Sequence, residues 1–194
     1  RLIAEDLGFL TDDVIRLQKD SGWPGMKVLE FAFDSREPSN YLPHRYIRNC
    51  ICYSGTHDNE TLAQWLAQTS ETARAYAAEY LGLTEQEGYA WGILRSGLAS
   101  VADTFIAQLQ DYLGLGAEAR MNTPGTLSDR NWSWRLQPGL LTAELAHRLR
   151  RMNIQNAFER LLDMGALPII NENDTVATAD QPKKPPPSTL NATA

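Results

Sequence analysis

The chain has 194 residues, 43% of them hydrophobic, enough apolar content for a packed core. A net charge of −6 disfavours nucleic acid as a partner, because an acidic surface repels phosphates, whereas neutral sugars suit that balance. No run of about 18 apolar residues exists, which argues against a membrane-spanning helix.

Leu2 to Ala4 reads as the end of a strand in which the chain opens without an initiator Met. Thr11 is a good N-cap, Asp12 and Asp13 suit the positive end of a helix, and Gly22 stops it. After the Pro24-Gly25 turn, the Val and Phe content of Met26–Phe33 predicts a second strand. A Pro-, Ser- and Asn-rich loop runs from Ser35 to His44, and Cys50–Tyr53 is the third strand. Cys50 and Cys52 point to one strand face, too far apart for an easy disulfide. They read as packing residues of a reduced, cytoplasmic chain rather than as metal ligands.

Helical territory follows at Thr61–Leu66 and Glu71–Leu81. Thr84 and Glu87 match a capping box, with Ala90, Ile93, Leu94 and Leu98 at helical spacing behind it. Val101–Leu113 is mixed and apolar, and Met121–Trp134 is rich in turns. A long helix opens at Leu141-Thr142 and runs towards Gly165. Residues 180–194, with Pro182 and the Pro185–Pro187 run, favour neither helix nor sheet and are expected to be disordered. The order of elements fits part of an α/β barrel, and ~250 residues are needed for a complete one.

Two segments carry chemistry. Ala4-Glu5-Asp6-Leu7-Gly8 and Gly55-Thr56-His57-Asp58-Asn59 each lie where an apolar run stops and a polar turn begins. Carboxylates on the loops after parallel strands can converge over one pocket. Each segment also has a plain structural reading. Glu5-Asp6 can be acidic residues placed before a helix, and His57-Asp58-Asn59 can be an Asx-type turn.

Both segments, with the text between and after them, closely resemble the amylomaltases, the 4-α-glucanotransferases. The resemblance is carried by Ala4–Gly8, Trp23–Leu29 with Phe31–Asp34, Tyr41–His44, Thr56–Asn59, Met121–Thr126 and Asn131-Trp132-Ser133-Trp134-Arg135. It covers residues 1 to about 152. It implies Glu5 as general acid/base and Asp58 as transition-state stabiliser, with His57 donating a hydrogen bond where the sugar bond is cut. Asp34 and Asn122 match positions that line the glucan groove. Trp132 and Trp134 are expected to pack in the core rather than to serve as sugar platforms.

The resemblance implies a retaining double displacement, with one carboxylate as nucleophile and another as acid then base. The nucleophile, an aspartate, is expected upstream of residue 1, so that this segment alone is expected to be inactive. No metal or organic cofactor is implied. The implied partners are α-1,4-glucans.

From Asn153 the text changes. Asn153–Phe158 and Leu161–Thr178 resemble a short segment of glutamate 5-kinase, in which Asp174 would match a glutamate-binding position. A Gly-rich phosphate cradle is not found in the sequence, so that kinase activity is the weaker alternative. A non-catalytic glucan-binding fragment is the other.

The expected architecture is therefore the C-terminal portion of a (β/α)8 barrel over residues 1–152. A kinase-like helix and strand follow at 153–179, and a disordered tail at 180–194.

Overall fold

The computed structural model describes residues 2–8, 10–33 and 39–163, with side chains through 153. Asp34, Asp174 and the 180–194 tail, on which expectations were placed above, lie outside the described residues. The chain divides into two compact units, Arg1–Asn156 and Ala157–Ala194, and the structure that follows is that of the first.

The unit is a mixed α/β structure built on a parallel sheet. Strands β1 (Gly25–Val28), β2 (Cys50–Tyr53) and β3 (Thr104–Ile106) lie in that spatial order, all parallel. Parallel neighbours require crossovers, since a tight turn cannot return the chain to the same end. Between β2 and β3 the crossover is helical: α2 (Leu62–Gln68), α3 (Glu71–Leu81) and α4 (Tyr89–Ala99). Helix α1 (Asp12–Ser21) precedes β1, while α5 (Leu109–Tyr112) and α6 (Ala143–Asp163) follow β3.

Helix ends are set by the residues that mark them. Thr11 holds the N-cap position of α1 with extended backbone, but its side chain makes no capping hydrogen bond, and Gly22 closes that helix at φ 67°, a conformation glycine adopts without steric cost. Thr61 and Ser70 cap α2 and α3 by accepting from the amides of Gln64 and Ala73. Only half of the Thr84-to-Glu87 box forms, the Glu87 amide donating to Thr84 Oγ1 at 3.2 Å. It closes a turn rather than a helix, because α4 begins at Tyr89 after Gly88. The Glu87 carboxylate is drawn instead to Arg95, 2.8 Å away.

One face of the sheet presents Cys50 and Cys52, both buried, against Leu62, Ile93 and Leu94 of the helices. Both thiols are free, and burial pushes that of Cys52 up to about 12. Gly97 lets α4 approach β3 closely: a Cβ there would collide with the Phe105 ring.

The expected strand over Met26–Phe33 stops at Val28 and curls into a 3-10 turn at Leu29–Phe31. A straight strand would send Leu29 and Ala32 to opposite faces. The turn buries Leu29, Ala32 and Phe33 together, and Phe33 joins Trp65, Tyr76 and Tyr80 in an aromatic cluster. Leu2–Ala4 is not a strand either, although the Ala4 amide donates to the Pro24 carbonyl at 2.9 Å. Strand β3 is only three residues long, too short for a period to be read from the sequence.

Candidate active site

The loop after β2 is held from below by Ser54. Its amide donates to the Ile106 carbonyl at 3.1 Å, and its carbonyl accepts from the Glu30 amide at 3.3 Å. Its hydroxyl donates to buried Asp111 at 2.7 Å. The other Asp111 oxygen accepts from the Leu62 amide at 2.7 Å, so one carboxylate fixes both the end of β2 and the start of α2. Burial raises the Asp111 pKa, and these hydrogen bonds oppose the rise.

Gly55 then turns the chain through a tight space. A Cβ would come 2.9 Å from Asn59 Cβ and 3.0 Å from a Glu30 carboxyl oxygen. The turn itself is closed by Thr56 and Asn59. Asn59 Oδ1 accepts from both the amide and the hydroxyl of Thr56, at 2.9 and 2.8 Å. The plain turn reading thus holds for Thr56 and Asn59. The Asp58 side chain takes no part in closing the turn and stays partly exposed.

The Asp58 carboxylate instead accepts from the Asn122 side-chain amide at 2.7 Å, and His57 Nε2 lies 3.4 Å from the same oxygen. Three of the sequence-predicted residues therefore meet. Arg120, which the sequence reading did not single out, fixes their meeting. Its guanidinium ion-pairs with Glu60 at 3.0 Å and donates to the carbonyls of Asp58 and Asn122, at 2.7 and 2.8 Å. A planar fork with several donors can hold three acceptors at once, which an ammonium cannot do with fixed geometry. The signal was present: Arg120 directly precedes the Met121–Thr126 segment.

Beyond it, Trp132 does not pack in a core. It is 54% exposed, with its ring centroid 5.0 Å from that of His57. The expectation of a packing residue fails there because the Trp132 amide is tied to the Met121 carbonyl at 2.7 Å, beside the site.

Glu5 reaches its place through Asp6. The Asp6 carboxylate accepts from the Met26 amide at 2.6 Å and from Gln18 Nε2 at 3.0 Å. With Ala4 beside Pro24 and Asp6 beside Met26, this segment runs alongside β1 in the same direction. Asp6 secures a strand amide here and not a helix end, so the dipole reading does not apply to it. Glu5 is exposed and, among the described residues, has no hydrogen bond or ion pair, so none joins it to Asp58. Beside the Gly55–His57 turn, over the carboxyl ends of β2 and β3, lies a cavity of about 390 Å³ whose lining includes Met26, Tyr53, Thr56, His57, Gln108 and Met121.

Beneath the loop sits Glu30, buried and, among the described residues, without a hydrogen-bond partner on either oxygen, although the nearby Asn59 side chain favours its charged form. Burial, then the negative charges of Asp111 and Glu60, push its pKa up to about 9. Glu30 is therefore a neutral acid at pH 7. Among the described residues no group of three or more His, Cys, Asp and Glu side chains is arranged to hold a metal ion. No described helix is long and apolar enough to cross a membrane.

Residues 1–142 match the glycoside hydrolase 77 family, described as 4-alpha-glucanotransferase. The chain is 48% identical over 152 residues to the 4-alpha-glucanotransferase of Clostridium butyricum, a match covering 78% of this chain and 31% of that protein. It is 44% identical over 167 residues to the Thermus thermophilus 4-alpha-glucanotransferase, covering 82% of this chain and 33% of the other. The structure superposes with a TM-score of 0.76 on the amylomaltase from Streptococcus agalactiae solved in complex with acarbose. That match has 36% identity and covers 80% of this chain and 31% of that one. The chain thus spans about a third of the length of these relatives. By the match over residues 1–142, it belongs to the 4-alpha-glucanotransferase family.

Proposed function

We propose that this chain supplies the acid/base and the transition-state-stabilising carboxylate of a 4-α-glucanotransferase, which moves α-1,4-glucan segments onto acceptor sugars. The parallel sheet is then one arc of a (β/α)8 barrel over residues 1–152, with the site at the carboxyl ends of its strands. The setting in this reading is cytoplasmic. Residues 153–179 and 180–194 are appendages to the catalytic part.

Glu5 protonates the departing glycosidic oxygen and later takes a proton from the incoming acceptor hydroxyl. Asp58 stabilises the positive charge that develops on the sugar ring. Asn122 orients Asp58, His57 binds sugar hydroxyls beside the cleaved bond, and Asp34 lines the groove. The covalent intermediate forms on an aspartate from the part of the relatives that precedes residue 1 here.

The observation that carries this reading is the hydrogen bond between Asn122 and Asp58. It unites the Thr56–Asn59 and Met121–Thr126 segments, two parts of the family resemblance that lie far apart in sequence. That the Streptococcus agalactiae relative was solved in complex with acarbose supports a glucan-like ligand for this chain.

The test is a chimera in which residues 1–152 replace the matching segment of the Clostridium butyricum enzyme. It should disproportionate maltotriose, and Asp58→Asn and Glu5→Gln should each abolish most of that turnover. Unchanged turnover in either variant would remove that residue's role.

A further inference from the structure

Among the described residues Trp132 is the one non-glycine residue with a positive φ, 62°. That left-handed backbone brings Cβ against the chain and is unfavourable for an ordinary residue. Asn and Asp tolerate it better than a bulky aromatic does. Such a cost persists only where the surroundings over-determine the conformation, and it concentrates at binding and catalytic sites.

The surroundings here do over-determine it. The Trp132 amide is bound to Met121, and its carbonyl accepts from the Arg135 guanidinium at 2.9 Å. The preceding Asn131 side chain accepts from the Thr123 amide and donates to the Thr126 carbonyl, each at 3.1 Å. The loop is thus laced to the segment that carries Asn122. The product of this lacing is a large apolar ring left 54% exposed, inclined at 39° to the neighbouring His57 ring. A packing tryptophan would not need to be held out in this way.

We propose that the exposed indole of Trp132 is a stacking platform for one glucose ring of a glucan bound on the His57 side of Asp58. The proposal rests on the glucan-transfer reading above. A pyranose ring has an apolar C–H face and a rim of hydroxyls. The electron-rich face of an indole suits the former, and His57 and Asp58 suit the latter. Because Met121 ties the ring to the Asn122 segment, a sugar stacked on it would be registered against the Asn122–Asp58 pair.

The experiment uses the chimera and reads affinity for acarbose by calorimetry, a measurement that does not depend on turnover. Trp132→Ala should weaken binding about tenfold, and Trp132→Phe should recover most of the loss. Trp132→Gly relaxes the backbone but also removes the ring, so it should bind as poorly as Trp132→Ala. Unchanged affinity in Trp132→Ala, or affinity recovered by Trp132→Gly, would overturn the proposal. Failure of the catalytic reading is separable, because it shows as full maltotriose turnover in the Glu5→Gln chimera.

Discussion

The Asn122 amide donates to the Asp58 carboxylate across 2.7 Å, joining residues 64 apart in the sequence. A neutral donor leaves the carboxylate charged while fixing which way its oxygens face. Asn122→Ala in the chimera should lower kcat/KM for maltotriose by roughly 10- to 100-fold. That range corresponds to the 1.5–3 kcal/mol typical of a hydrogen bond to a charged group. Steady-state kinetics decides it, and an effect below threefold would show that Asp58 is oriented by other means.

Arg120 is expected to act through Asp58 and Asn122 rather than on substrate. Arg120→Lys keeps the charge beside Glu60 but cannot reach both carbonyls in the same geometry. Turnover should fall about tenfold with acarbose affinity nearly unchanged. A loss confined to affinity would place Arg120 on the ligand instead.

Glu30 makes stability depend on pH in an unusual direction. Its pKa is raised from 4.5 to about 9, so between these values the folded chain holds more protons than the unfolded one. Stability from this group is fully present below pH 4.5 and is lost as pH rises towards 9. At about 1.4 kcal/mol per unit, the loss by pH 7 is about 3 kcal/mol. Glu30→Gln cannot ionise, so the stability difference between variant and parent should grow in the variant's favour from pH 5 to pH 8. Urea denaturation across that range measures it, and a constant difference would mean that Glu30 titrates normally.

Gly97→Ala should destabilise the fold despite the better helix propensity of alanine. The propensity gain is about 1 kcal/mol, whereas a methyl driven into the Phe105 ring costs about 1–3 kcal/mol. A lowered thermal midpoint is the expected result, and a raised one would show that the ring moves aside freely.

Where one local rule settles a conformation, the sequence revealed it. Thr11 and Gly22 bound α1, α3 covers Glu71–Leu81 as read, and β2 is the Cys50–Tyr53 strand. The misses arose where distant contacts decide. Nothing within Met26–Phe33 shows that Trp65, Tyr76 and Tyr80 await Phe33, yet that cluster favours ending β1 early. Arg120 was passed over, and Trp132 read as a packing residue, for a related reason. Their roles come from partners some 60 to 75 residues earlier, at Asp58, Glu60 and His57, and no helical or strand period encodes such pairings. In both acidic segments one residue of an adjacent pair secures the backbone, Asp6 in the first and Asn59 in the second. The sequence alone does not say which member is left over for chemistry.

The two cysteines of the chain have a practical consequence. Cys50 and Cys52 are 1% and 0% exposed, and the raised pKa of each keeps it in the unreactive thiol form. Alkylating reagents should therefore pass over the folded chain. A single cysteine introduced on the exposed loop near Trp132 would be the sole labelling position in this segment. A fluorophore attached there would report glucan arrival directly, without any native thiol having to be removed.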